Sequence, residues 1–108
     1  MHRFISNYII LPDARVLHNH IVCFDDGRLF ELHPFSGELA YTIYVPNPII
    51  IISKDIVSRV KSIFEDSSDM PEFCILLSQC RFSHGLKLGD SVVALELDFC
   101  QRYISELC

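Results

Sequence analysis

Apolar residues alternate through the middle of the chain. Leu39, Tyr41, Ile43 and Val45 share one parity, while Ala40, Thr42 and Tyr44 share the other. A period of two is that of a half-buried strand, so the pattern predicts a strand over 39–45 with the first set on one face. Pro46-Asn47-Pro48 interrupts it. Four isoleucines, Ile49 to Ile52, then resume the run, and their stiff χ1 suits a sheet buried on both faces. Before this, short apolar runs alternate with turn residues, the pattern of an antiparallel meander. Residues 3–11 read as a strand stopped by Pro12-Asp13, because proline cannot donate to a ladder and Asp favours a turn. Val16-Leu17 lead into a second run over 20–24. Asp25-Asp26-Gly27-Arg28 predicts a type I′ hairpin, since that turn needs positive φ at both central residues. Residues 29–33 form the return strand, and Pro34-Phe35-Ser36-Gly37 turns the chain again.

At Ser53 the period changes. Ile56, Val57, Val60, Ile63 and Phe64 keep helical spacing, with Ser53 as the expected cap and Asp55 in the first turn. Asp66-Ser67-Ser68 ends that helix. Asp69 and Glu72 then bracket Pro71 at capping-box spacing, and a second helix follows with Phe73, Leu76, Leu77 and Cys80 inward and Gly85 as its terminator. Leu88-Gly89-Asp90 makes a turn. Val93, Leu95, Leu97 and Phe99 alternate as a last strand, and the tail over 101–107 reads as a short helical turn. No internal repeat or low-complexity segment interrupts this order.

At 108 residues the chain has room for one core. The whole chain, 1–108, therefore reads as a single domain: a strand-rich meander over 1–52, two helices over 53–84, and a returning strand and tail over 85–108. Half of its residues are apolar or aromatic, too many for a disordered chain. A formal charge of −5 argues against binding to nucleic acid or an anionic membrane surface. The first eight residues lack the apolar run and cleavage site of a secretory signal, and the pure apolar run at 49–52 is far too short to cross a bilayer, so the chain reads as cytoplasmic. Cys23, Cys74, Cys80, Cys100 and Cys108 are odd in number and form no CxxC pair, which points to free thiols, with Cys108 the most exposed.

Candidate chemistry is sparse. His18 and His20, two apart on a strand, are expected to project to one side, where they could share a metal. Zinc needs three or four protein ligands, so support would have to come from His33, His84, Asp25 or Asp26, and no spacing demands it. A surface turn accounts for the pair as well. Asp25 and Asp26 are explained by the hairpin. Ser36, Ser78, Cys80 and Ser83 are available hydroxyls and thiols, but none lies in a nucleophile-elbow pattern. The glycines of Gly85-Leu86-Lys87-Leu88-Gly89 precede a strand, not a helix, so they lack the amides that cradle phosphate. A catalytic residue set and a cofactor are therefore not assigned.

Two blocks carry a resemblance. Asn7-Tyr8-Ile9-Ile10-Leu11-Pro12, followed by the run from His20 through Asp25-Asp26-Gly27-Arg28 to Leu32, resembles the opening of amidohydrolase-superfamily enzymes. In that family a strand, a turn and a strand ending in a D-G-R-I turn begin a small β domain beside a metal-bearing barrel. Gly85 through Asp98 is similar to the family's closing G-x-L-x-x-G segment, which returns to that domain. The helix from Pro71 to Cys80 stands where the last barrel helix would. Departures are equally specific. After Ile52 the family carries a P-G-x-I-D-x-H-x-H metal motif, where this chain has Ser53-Lys54-Asp55, and Val93-Ala94 stand in place of the family's A-D step. A barrel also takes at least about 200 residues, more than the space between the blocks allows. The resemblance implies a composite β domain with its barrel missing.

These readings predict an α+β domain, a mainly antiparallel sheet or small sandwich with two helices and a C-terminal strand pairing back among the first strands. The expected role is non-catalytic, an interaction domain whose partner is a protein, with a homodimer as one form. The alternative is a small metal-binding protein or metal-dependent hydrolase using His18 and His20.

Overall fold

Asp26 and Gly27 both take positive φ, 52° and 73°, as the hairpin requires. Their turn joins β2 (Val16–Asp25) to β3 (Arg28–Pro34). β2 also pairs antiparallel along the length of β1 (His2–Ile10). The computed structural model describes residues 2–37, 41–82 and 86–107. Within them follow β4 (Ile43–Val45), β5 (Ile49–Ile52), a 3-10 turn (Lys54–Ile56), α1 (Val57–Asp66), α2 (Met70–Gln79), β6 (Val93–Asp98) and β7 (Tyr103–Glu106). The strand order is β3-β2-β1-β5-β6-β7, with β4 also alongside β1. Most pairings are antiparallel, but β4 and β5 both run parallel to β1. The predicted α+β class holds, and the sheet is mixed.

β4 and β5 act as one interrupted strand. Ser6 pairs with Val45 and Ile9 with Ile49, so Asn7 and Tyr8 face three residues, Pro46, Asn47 and Pro48. The extra residue makes a bulge, and the two prolines could not have donated to a continuous ladder. The isoleucines of β5 then divide by parity. Ile50 and Ile52 join Ile10, Val93, Leu95 and Leu97 beneath the helices. Ile49 and Ile51 join Phe4, Val22, Phe24, Leu29 and Ala94 on the opposite face. Full burial is worth roughly 1.5–3 kcal/mol for each such side chain relative to exposure.

The second face is covered by the sheet itself. It curls until the tip of the β2–β3 hairpin reaches the segment before β6. Val92 N–H donates to the Gly27 carbonyl at 3.0 Å, Leu29 N–H to Asp90 at 2.9 Å, and Gly89 N–H to Leu29 at 2.7 Å. One curled sheet thus encloses a core of its own, where facing sheets of a sandwich were the other expectation.

α1 buries Val60, Ile63 and Phe64, and α2 buries Phe73 and Leu77. Phe99 wedges between them, 5.0 Å from the Phe64 ring and 5.9 Å from Phe73. Asp69 caps α2 by accepting from Glu72 N–H at 2.9 Å, as its spacing predicted. Ser53 holds the extended cap conformation, but its hydroxyl bonds to the Asp55 carboxylate instead of a backbone amide. Gly85 lies outside the described residues; α2 ends at Cys80, followed by Arg81 at φ 51°.

Two expectations are corrected. The strand predicted over 39–45 is only Ile43–Val45 among the described residues. Tyr41 stands outside it at φ 58°, a left-handed conformation far from regular strand geometry. The tail is also a strand and not a helical turn. Arg102 N–H donates to the Asp98 carbonyl at 2.8 Å and Arg102 takes φ 62°, which doubles the chain back so that β7 pairs with β6.

Candidate functional site

Among the described residues, the histidines do not converge on a metal site. On β2, Val16 packs on the helix side and Leu17 on the other, yet Val22 and Phe24 pack with Leu17. Strict alternation would put Val22 with Val16, so the parity reverses once between residues 17 and 22. Asn19, at φ 55°, is the left-handed residue in that stretch. A spacing of two therefore does not by itself put His18 and His20 on one side of the sheet. His18 meets the Tyr8 ring edge-on at 5.3 Å between centroids. His20 Nδ1 lies 2.9 Å from the His18 carbonyl. His33, on β3, places Nε2 3.0 Å from a Glu31 carboxylate oxygen and Nδ1 3.0 Å from the Pro34 carbonyl. His84 lies outside the described residues. Among the described residues, no three or more His, Cys, Asp or Glu side chains gather as a metal site.

The nucleophile candidates are similarly dispersed. Ser78 donates to the Ile75 carbonyl at 2.7 Å within α2, and Cys80 Sγ lies 3.5 Å from the Leu76 carbonyl. Ser36 is exposed in the turn after β3, and Ser83 lies outside the described residues. Cys23 is fully buried, and burial, followed by the nearby Glu31 charge, raises its thiol above the ordinary 9.0. That environment suppresses the nucleophilic thiolate.

Two other places are open to contact. The first is a cleft of about 550 Å³ where the parallel strands β1 and β5 end. Pro12 and Ser53, just beyond those ends, open on it together with Arg59, Arg81, Phe82 and Asp90. The Arg59 guanidinium lies 4.7 Å over the Phe82 ring. Asp55, also in the lining, accepts from Ser53, and Asp90 accepts from Lys87 N–H at 2.9 Å. Among the described residues, neither Arg59 nor Arg81 has a carboxylate partner. Sequence spacing gave no sign of this pair, because one lies on the exposed side of α1 and the other just beyond α2.

The second is the edge of β4. Among the described residues β4 pairs only with β1, leaving its other edge unmatched. Ile43 is 56% exposed and Tyr44 57%, and the neighbouring Tyr41 is 96% exposed. Of the described residues that share one parity with Val45, Tyr41 and Ile43 are exposed and Val45 is buried.

No helix among the described residues is long and apolar enough to cross a membrane. Comparison with family models, curated proteins and solved structures found no match.

Proposed function

We propose that the chain is a non-catalytic interaction domain of the cytoplasm whose partner is a protein that adds a strand to β4. The carrying observation is the β4 edge, unmatched among the described residues and lined by exposed Tyr41, Ile43 and Tyr44. An open strand edge offers N–H and C=O groups in register to an extended segment, and apolar side chains beside it supply the desolvated contact. Pro46 and Pro48 shorten that edge, so its side chains must carry most of the specificity. Kinship with the barrel-less amidohydrolase β domain remains part of this proposal. Its support is the two sequence blocks and the return of β6 to lie beside β5.

A second copy of the chain is the first partner to test. Light scattering on concentrated protein should give twice the monomer mass, and Ile43→Lys should return it to the monomer with an unchanged circular dichroism spectrum. A chain that stays monomeric at high concentration, and whose pull-downs recover the same proteins with and without the substitution, would sink the reading.

A further inference from the structure

We propose that the cleft bordered by Arg59 and Arg81 binds a small anion, a ligand presenting one carboxylate or phosphate group. Its volume of about 550 Å³ lies in the range of small-molecule sites. Its place at the carboxyl ends of β1 and β5 is where adjacent parallel strands release the chain into loops and leave a crevice.

The hydrogen-bonding inventory gives the ligand its sign. Each carboxylate in the lining accepts one hydrogen bond within the protein, Asp55 from the Ser53 hydroxyl and Asp90 from the Lys87 amide. The guanidiniums of Arg59 and Arg81 have no hydrogen-bond acceptor among the described residues. The two guanidiniums are thus N–H donors open to the cleft, and an occupant that engages them must bring acceptors. Stacking on Phe82 occupies the face of the Arg59 guanidinium and leaves its in-plane fork free, the geometry that grips a carboxylate or phosphate. Arg81 sits at φ 51° just after α2, a position where glycine is easier to accommodate. Arg81 places a long cation in the cleft lining at that position. The overall charge of −5 repels anions at long range, so anion binding would have to arise from a local site. Asp55 and Asp90 also disfavour a polyanion and limit the site to a single anionic group.

The test is a ¹H–¹⁵N NMR titration with sodium phosphate and, separately, sodium succinate, each against sodium chloride at matched ionic strength. Saturable shifts should concentrate on the Arg59 and Arg81 side chains and on the Ser91 and Val92 amides. A stronger response to phosphate marks a phosphate ligand, and a stronger response to succinate marks a carboxylic acid. Arg59→Gln and Arg81→Gln should each weaken binding by about tenfold or more. Arg81→Gly should lose the response while its melting midpoint stays level or rises, which separates loss of the site from loss of the fold. Shifts scattered over the surface, no response to either anion, or an unchanged response in the variants would overturn the assignment.

Discussion

The Ser6 hydroxyl donates to the backbone carbonyl of Asn47 at 3.0 Å, where β1 and the interrupted strand beside it fall out of step. The bulge leaves that carbonyl without a ladder partner, and Pro46 and Pro48 provide no N–H to help. Asn47 is held from its other end as well, its side-chain amide donating to Glu96 at 2.9 Å. A buried hydroxyl thus does what a backbone donor would do in a regular strand.

Ser6→Ala should therefore cost about 1–2 kcal/mol, because it strands a buried acceptor without creating room for water. Ser6 is only 1% exposed. Urea unfolding would show the loss as a lower midpoint at an unchanged slope. Stability equal to that of the parent chain would mean that the bulge does not depend on the hydroxyl.

Asn19 makes a separate prediction, since its φ of 55° lies where parity reverses along β2. Asn tolerates that region and Gly has no penalty there, whereas a β-branched side chain meets the following carbonyl. Asn19→Gly should stay within about 0.5 kcal/mol of the parent, and Asn19→Val should lose about 1–2 kcal/mol. If both variants unfold at the same urea concentration, the left-handed residue is not what sets the reversal.

This reversal also marks where the sequence stops being readable. Local chemistry was legible: Asp26-Gly27 makes its turn, Asp69 caps α2, and the isoleucines of β5 are buried on both faces. Each of these depends on a residue and its immediate neighbours. The position of β4 beside β1, the curl that closes the second core, and the meeting of Arg59, Arg81 and Phe82 depend on contacts between distant segments. Spacing was an incomplete guide for His18 and His20 for a related reason. Spacing of two implies one side only while every intervening residue stays extended, and Asn19 does not.

At the α2 cap the side chains divide the work in a way the spacing did not specify. Asp69 accepts from Glu72 N–H, while the Glu72 carboxylate accepts from Ser68 N–H at 2.7 Å, one residue before the cap. Asp69→Ala should cost about 1 kcal/mol. Glu72→Gln, which keeps an acceptor for Ser68, should cost less. The two variants compared by thermal unfolding check the division, and a larger loss for Glu72→Gln would reverse it.

The thiols give a last prediction from burial alone. Cys23 is fully buried and its thiol is raised by burial; Cys74 is raised by the same cause; Cys100 is exposed. Among these three, a thiol-reactive disulfide reagent at pH 8 should modify Cys100 first and Cys23 only on unfolding, because the thiolate is the reacting form. The raised values also fix the alkaline behaviour. Below the ordinary value of 9.0 these two thiols are protonated in both folded and unfolded chains and do not make stability vary with pH. Above it the unfolded chain ionises first, so stability should fall as pH climbs past 9.0. Replacing Cys23 with Ala should flatten that fall, at the separate cost of a small cavity. A fall of the same slope in the variant would place its origin in other groups.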